Sequence, residues 1–276
     1  MFVFEILKAF VIGIVEGVTE WLPISSTGHM ILLDELVRLE VSSEFLELFL
    51  VVIQLGAILA VPVLFMERLN PFSRKNTEAE NKAIRSTLYK VAIGGIPAAL
   101  LGLLLDDIIN RYLYNYFTVA MTLIIYGILF IFVEKSRAEK KNKVESIENL
   151  TISDALKIGL FQALSLVPGT SRSGSTILGG MLSGVSREAS AEFSFFMAIP
   201  IMLGASGLKI LKFVIGGFSA SGEELLLLLV GMAVSFIVSV LVIKLLMDFV
   251  KKHSFIFFGY YRIILGIFVL FLFTKI

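Results

Sequence analysis

Two stretches of the chain place chemically reactive side chains directly after an apolar segment and near a proline. In the first, Glu16 and Glu20 precede Pro23. The small and polar residues that follow are Ser25, Ser26, Thr27, Gly28 and His29. In the second, Pro168 is followed by Gly169, Thr170, Ser171, Arg172, Ser173 and Gly174. Irregular polar backbone inside a membrane persists only where it is buried in protein or lines a wet cavity. The pattern therefore predicts that the chemistry takes place at these two interruptions.

The two glutamates of the first stretch stand four positions apart, which places them on one face of a helix roughly 5–6 Å from each other. Pro23 should end that helix near Leu22. Carboxylates at membrane depth are costly and usually functional, and a close pair needs a cation, a shared proton or a nearby arginine. Glu16 and Glu20 therefore suit either binding of a hard cation or acid–base chemistry. The alternative is that both lie in water at the membrane surface.

Ser26 and the hydroxyl groups beside it are close in sequence to the two carboxylates and to His29. Such residues can form the nucleophile and base of covalent catalysis. A histidine near a helix start is also commonly a cap or a core residue with satisfied hydrogen bonds, and that interpretation stays open for His29. The other histidine, His253, lies in a basic loop and is interpreted as solvated.

Arg172 lies between two serines and two flanking glycines, Gly169 and Gly174. Glycine permits a tight turn and close approach of backbone N–H groups to an anion. The guanidinium fork matches the geometry of phosphate oxygens, so this stretch predicts a phosphate site. Arg262 interrupts a later apolar run. It is either a second phosphate contact or a side chain that extends to the cytoplasmic face.

Composition indicates a membrane protein. Of the 276 residues 57% are hydrophobic, whereas soluble domains are about 45–50% apolar. Uncharged runs at 48–66, 112–133 and 225–243 are each close to the roughly 20 residues that cross a bilayer as a helix. Cysteine is absent, which excludes disulfide and thiolate chemistry. The net charge of +1 gives no support to a nucleic-acid partner.

The two stretches belong to a longer internal similarity. Gly13 and Glu16 correspond to Gly159 and Gln162, each 146 positions later. Weaker matches follow in the same order, at 54–57 with 202–205 and at 126–129 with 265–268. The ordered series predicts an internal duplication. Chance similarity between apolar helices is the alternative.

Each half is predicted to hold one broken hairpin and three long helices. The predicted segments are a hairpin at 6–38 with helices near 45–66, 88–108 and 116–134, and a hairpin at 153–185 with helices near 188–212, 223–249 and 255–274. If each hairpin enters and leaves on one side, each half crosses the membrane three times and the second half is inverted. The fold class is thus an all-α integral membrane protein with two inverted repeats, 1–148 and 149–276, in one domain at 1–276.

The basic residues favour this topology. They concentrate on one predicted side, at Arg68, Arg74, Lys75, Lys82, Arg85, Lys135, Arg137, Lys140, Lys141, Lys143, Lys251 and Lys252. The other side receives Arg38, Arg111, Lys209, Lys212 and Lys275. The positive-inside rule makes the rich side cytoplasmic and both termini external. The segment 134–148 is interpreted as a solvated charge run, and Glu192 as a helix cap or a partner of Arg187.

At these motifs the chain resembles the undecaprenyl-diphosphate phosphatase family of bacterial membranes, which is also known for bacitracin resistance. The first family signature is Glu-x-x-x-Glu followed by Pro-x-Ser-Ser-Thr-Gly-His, and it stands here from Glu16 to His29. The second is Pro-Gly-x-Ser-Arg-Ser-Gly, and it stands here from Pro168 to Gly174. Both match without a departure. The resemblance covers the whole chain, including the late pair Tyr261 and Arg262.

The resemblance implies an integral membrane enzyme of the bacterial plasma membrane that needs Mg²⁺ or Ca²⁺ and opens to the outer face. It implies that Glu16 and Glu20 are catalytic and metal-binding, that Ser26 is the nucleophile unless a metal-activated water replaces it, and that His29 is an acid–base. Arg172 would clamp the phosphate. The other residues expected to bind substrate are Ser25, Thr27, Ser171, Ser173, Gly169, Gly174 and Arg262.

The implied reaction is hydrolysis of undecaprenyl diphosphate to the monophosphate, which recycles the lipid carrier of cell-wall synthesis. The expected partners are this substrate and membrane lipid, with a homodimer considered and no nucleic acid. A rival hypothesis is a secondary transporter of a polyprenyl phosphate or another anion, because inverted repeats with broken helices are typical of transporters. Additional lipid flipping is compatible with the enzyme hypothesis. A purely structural scaffold would leave Glu16, Glu20 and Arg172 without a role.

Overall fold

A computed structural model describes residues 2–137 and 140–273, with the side chains of Asp106 and Asn110 not described. Lys275, one of the predicted external basic residues, lies outside this range. The regular elements of the described residues are helices. They are α1 (Phe2–Thr19), α2 (Ser26–Leu36), α3 (Ser43–Leu64), α4 (Met66–Leu69), α5 (Glu78–Tyr112), α6 (Tyr116–Arg137), a 3₁₀ turn (Ile147–Asn149), α7 (Ile152–Leu164), α8 (Arg172–Leu182), α9 (Arg187–Ile215), α10 (Gly222–Lys252) and α11 (Ile256–Phe273).

Six of these helices are long and apolar enough to cross a membrane. The apolar spans are in α3, α5, α6, α9, α10 and α11. Helices α7 and α8, with 13 and 11 residues, extend only about 20 and 17 Å at 1.5 Å per residue. The hydrocarbon core of a bilayer is about 30 Å thick. Neither of these two helices can therefore cross it alone.

Helix α5 begins ten positions earlier than the sequence predicted, at Glu78 rather than near 88. Thr77 and Glu80 form a reciprocal capping box there, in which each side chain accepts the other residue's backbone N–H. This local signal starts the helix in polar sequence before the apolar run. The same device starts α7, through Thr151 and Asp154.

One end of the bundle holds both described chain ends and is called the terminal end. Glu5 of α1 accepts the backbone N–H of Glu40 at 2.9 Å, which joins the start of α1 to the loop after α2. Tyr116, at the start of α6, stacks on Phe273 at the end of α11 with ring centroids 5.3 Å apart. The first hairpin, α1 with α2, therefore opens toward the terminal end.

The basic loops lie at the opposite end of the bundle, which is called the basic end. The backbone N–H of Lys143 donates to the carbonyl of Gly184 at 2.8 Å, which joins the segment before α7 to the residues after α8. Arg187, at the start of α9, pairs at 2.5 Å with Glu134 near the end of α6. The second hairpin, α7 with α8, therefore opens toward the basic end.

Two expectations about charged residues in this region were wrong. Glu134 is buried and binds Arg187, so the segment 134–148 is not solvated throughout. Glu192 pairs with Arg68 rather than with Arg187. Arg68 also contacts Glu148 at 2.6 Å. These partners are distant in sequence, so local charge patterning could not identify them.

Each hairpin packs on a long helix from the other half of the chain, because α1 lies against α10 and α7 lies against α5. Helices α3 and α9 also pack together, as do α6 and α11. Glycines allow close crossings of α7 with α5 and of α3 with α10. A Cβ added at Gly159 would lie 2.1 Å from the carbonyl oxygen of Gly94, and one added at Gly56 would lie 2.1 Å from that of Met232.

Candidate active site

Each hairpin turns through a short segment that we call a tip: residues 20–25 in the first hairpin and 165–171 in the second. Among the described non-glycine residues, only Ser25 and Ser171 have positive φ, at 74° and 72°. They stand 146 positions apart. Each caps the following helix, since Ser25 Oγ accepts from the N–H of Gly28 at 3.3 Å and Ser171 Oγ accepts from that of Gly174 at 3.1 Å. The two tips thus share one rare backbone conformation.

The start of α8, directly after the second tip, contacts the first tip inside the bundle. Ser173 Oγ lies 3.1 Å from the carbonyl oxygens of both Glu20 and Leu22, to which it can donate. The guanidinium of Arg172 donates to Glu20 Oε1 from Nη2 at 3.1 Å and from Nε at 3.3 Å. The residues that the sequence singled out in separate halves are therefore neighbours. We call this place the tip junction.

Arg172 is held on three sides at the tip junction. In addition to Glu20, it donates from Nη1 to the carbonyl of Ser194 at 2.9 Å, and its guanidinium lies 5.7 Å from the centre of the Trp21 ring. Only 11% of the Arg172 side chain and 8% of the Glu20 side chain are exposed. Removing one partner from such a buried pair leaves an uncompensated charge. Ser194 was not among the predicted site residues.

Ser26, the first residue of α2, faces the same carboxylate. Its hydroxyl donates to Glu20 Oε2 at 3.1 Å. A carboxylate at this distance can accept the proton of an attacking hydroxyl. Thr27 beside it is partly exposed. Glu20 therefore joins the predicted nucleophile to the predicted phosphate clamp.

His29 makes different contacts from those expected. Its Nδ1 lies 2.7 Å from the carbonyl oxygen of Ser25, and its Nε2 lies 2.7 Å from the hydroxyl of Tyr261. Because a carbonyl can only accept, we assign the proton to Nδ1, so that Nε2 accepts from Tyr261. The two rings are nearly parallel. The Ser26 hydroxyl is directed at Glu20 instead of at the imidazole, so its proton acceptor in the structure is the carboxylate.

Arg262 ties the two tips together. It is completely buried, and its guanidinium donates to the carbonyls of Pro23 at 3.1 Å, Gly169 at 3.0 Å and Thr170 at 2.9 Å. Of the two alternatives for Arg262, extension to the cytoplasmic face is wrong, because the side chain has no exposed surface. Its donors are also committed to backbone rather than directed at an open site, which does not favour the predicted substrate contact.

Gly169 has a conformational role in the second tip. Its φ is +86°, and an added Cβ would lie 2.2 Å from the Thr122 hydroxyl oxygen. A side chain is excluded at this position both by the backbone conformation and by the contact. Like Ser25, Ser171 and Gly174, it was predicted to bind substrate, and the structure shows it shaping the backbone beside Arg172.

Glu16 is the group most suited to a metal ion. It is 1% exposed, and its Oε1 has no hydrogen-bond partner among the described residues. Within the part of the chain that the structure describes, no group of three or more His, Cys, Asp or Glu side chains could hold a metal. Mg²⁺ commonly uses one or two carboxylates together with substrate phosphates and water. Glu16 and Glu20 fit a site of that kind.

Comparison with known proteins supports the chemistry suggested by the tips. The model of a family described as bacitracin resistance protein BacA matches residues 9–268. An undecaprenyl-diphosphatase of Desulfitobacterium hafniense is 54% identical over 271 residues, covering 98% of this chain and 96% of that protein. An undecaprenyl-diphosphatase 1 of Clostridioides difficile is 55% identical over 267 residues, covering 96% and 95%.

Proposed function

The chain belongs to the bacitracin resistance protein BacA family, and we propose that its tip junction is where it hydrolyses undecaprenyl diphosphate to undecaprenyl phosphate and inorganic phosphate. The chain is a multi-pass membrane enzyme, a polyprenyl-diphosphate phosphatase. In the bacterial plasma membrane this reaction would recycle the lipid carrier of cell-wall synthesis. The family membership supports the reaction, and the contacts of Glu20 support its location.

The observation that carries the location is that one carboxylate, Glu20, contacts both Arg172 and Ser26. Phosphoryl transfer depends mainly on positioning and on neutralisation of charge. Arg172 supplies the positive charge and Ser26 the hydroxyl, while Glu20 can receive the proton. These contacts exceed what a protein that only carries an anion requires, which favours hydrolysis over transport.

In the proposed mechanism the diphosphate displaces Glu20 from Arg172 and binds the guanidinium. The released carboxylate accepts a proton as the Ser26 hydroxyl attacks the terminal phosphorus in line. The bond from that phosphorus to the bridging oxygen breaks, and undecaprenyl phosphate leaves. Water then hydrolyses the phosphoserine and releases inorganic phosphate.

In the alternative route Glu20 deprotonates a water molecule, which attacks the terminal phosphorus directly. His29 and Tyr261 lie beside the site and can transfer protons to phosphate oxygens.

A divalent cation bound by Glu16 and Glu20 would neutralise part of the diphosphate charge. Burial of Glu16 without a hydrogen-bond partner supports this assignment. The assignment also accounts for two carboxylates four positions apart, of which only one is bound by arginine.

We also propose that the molecule consists of two inverted repeats, 1–148 and 149–276, each with a re-entrant hairpin and three spanning helices. The opposite opening of the two hairpins supports this topology, as does the exchange of packing partners between α1 with α10 and α7 with α5. By the positive-inside rule the basic end is cytoplasmic, and the termini and the access to the site are external. Such a pair could also carry lipid between leaflets.

Phosphate release from undecaprenyl diphosphate by purified protein with Mg²⁺ tests the proposed function. The wild type should release phosphate and lose activity in a chelator. Glu20→Gln should lower the rate by about a hundredfold or more, whereas the control Glu47→Gln, at an exposed carboxylate paired with Lys209, should not. Movement of the lipid across vesicle membranes without phosphate release would support the transporter hypothesis instead.

A further inference from the structure

A cavity of about 290 Å³ opens at the basic end of the bundle. It lies between the ends of α6, α8 and α10 and the start of α9, and none of the tip residues lines it. The basic side chains that line it are Arg137, Lys140, Arg187 and Lys251. Glu145 and Glu188 are the acidic ones. Cationic groups therefore dominate a concave surface between membrane helices.

Two of these cations, Arg137 and Lys251, make no short hydrogen bond to a carboxylate among the residues that the structure describes. Arg187 is neutralised by Glu134, which it binds through Nε and Nη2. Arg137, however, donates to a neutral group, from Nη2 to Asn142 Oδ1 at 2.9 Å, and makes no ion pair with a carboxylate among the described residues. Lys251 lies 3.8 Å from the Glu188 carboxylate and 3.9 Å from that of Asp248, and both distances are beyond a good hydrogen bond. Arg137 also lies close to the pair of Arg187 and Glu134, whose opposite charges act on it in opposite directions.

We propose that this cavity binds the phosphate group of an anionic phospholipid at the membrane surface. Basic pockets between transmembrane helices on the cytoplasmic side characteristically bind such head groups. The basic side chains Arg137, Lys140 and Lys251 would attract an anion there, and a guanidinium fits phosphate oxygens in two-point geometry. The apolar residues Met181, Val185 and Val250 complete the lining. Free phosphate has the same chemistry, so the test includes it.

The cavity connects to the tip junction through two helices. Helix α8 begins at Arg172 and ends at Leu182, next to the cavity. Helix α9 begins at Arg187 in the cavity wall, and two turns later its Ser194 carbonyl accepts the Nη1 bond of Arg172. A bound head group would thus contact the far ends of both helices that hold the phosphate clamp. The proposal does not depend on which reaction the tip junction performs.

Lipid retention by the full-length protein in nanodiscs tests the proposal. The nanodiscs contain phosphatidylcholine with a small fraction of phosphatidylglycerol, and bound phosphatidylglycerol is counted by native mass spectrometry. The double variant R137Q/K251Q should lower its affinity about tenfold or more, since each basic residue near the surface contributes measurably. The matched control R74Q/K75Q removes the same charge from exposed residues of the same end and should change the affinity less than about twofold.

An unchanged affinity in R137Q/K251Q, or an equal loss in R74Q/K75Q, would overturn the site. In the second part of the experiment, binding of inorganic phosphate is measured for the same variants. If phosphate binds the wild type with the same dependence on R137Q/K251Q while phosphatidylglycerol is not retained, the lipid assignment is wrong. Phosphate release in pure phosphatidylcholine nanodiscs should be the same in all variants, which shows that they fold. If R137Q/K251Q is not obtained folded, K251Q alone serves, with K75Q as its control.

Discussion

Arg172 and Arg262 are both removed from solvent at the tips, but they bind different kinds of partner. Arg172 donates to a carboxylate at a partly exposed position, whereas the hydrogen bonds of Arg262 all go to backbone carbonyls and its side chain is fully buried over the Tyr126 ring. An incoming anion can replace a carboxylate on Arg172 without breaking any hydrogen bond to the backbone of either tip. It cannot reach Arg262 without separating the tips. The two arginines should therefore respond differently to the same substitution.

We predict that Arg172→Lys lowers kcat/KM for phosphate release by about a hundredfold, with little change in Tm, because a point charge cannot replace the fork. Arg262→Lys should instead lower Tm by several degrees, because one ammonium cannot satisfy the carbonyls of both tips. Thermal unfolding in detergent and steady-state kinetics measure the two effects. An Arg262→Lys protein with unchanged Tm and a raised KM would support the original prediction that Arg262 contacts the substrate.

Ser26 is predicted to be the nucleophile, since its hydroxyl donates to Glu20. Ser26→Ala should lower phosphate release by about a thousandfold, and rapid acid quenching of the wild type during turnover should trap a phosphoserine at this position. Ser183→Ala, at the far end of α8, is the control and should retain activity. Turnover of Ser26→Ala near the wild-type rate would assign the attack to water.

The sequence predicted roles for Glu20 and Arg172 because charged groups are unusual in apolar surroundings, and for Ser26 because it lies in a cluster of hydroxyl residues within the family signature. It did not identify Tyr261 as the partner of His29 or Ser194 as the partner of Arg172. A tyrosine in an apolar helix and a serine among many small residues are ordinary. Their roles depend on contacts across 232 and 22 positions, which no local spacing reports.

At the scale of helices, apolar runs and prolines predicted the positions of both hairpins and all six long helices to within a few residues, except for the start of α5. Packing partners could not be predicted in the same way. Gly56 and Gly204 occupy matching places in the two halves, yet Gly56 touches α10 and a Cβ at Gly204 would meet nothing within 4 Å. Identical residue types therefore carry different structural requirements.

We predict that Gly56→Ala destabilises the protein by about 1–3 kcal/mol through overpacking against Met232. Gly204→Ala should be neutral or stabilise by up to about 1 kcal/mol, because alanine favours a helix over glycine. The Tm of the two variants in one detergent gives the comparison. Equal Tm values would mean that α3 and α10 can separate without cost.

At the scale of the whole molecule, the two ends differ in charge and in which chain segments they hold. The chain has no cysteine, so labelling of a single introduced cysteine shows on which side of the membrane that residue lies, with no reaction from other thiols of the protein. We predict that Arg38→Cys, at an exposed position of the terminal end, reacts with a membrane-impermeant maleimide on intact cells. Lys141→Cys, at the basic end, should react only after lysis. The opposite pattern would reverse the proposed orientation.

The bond between Glu20 and Arg172 has a consequence for the resting protein. In the proposed mechanism Arg172 is occupied while this bond is intact, and Glu20 divides its two oxygens between Arg172 and Ser26. A ligand with enough negative charge to take the arginine also frees the carboxylate at the same moment. Binding of the anionic head group and release of the proton acceptor are then a single event. A neutral lipid between the helices would leave Glu20 bound to Arg172.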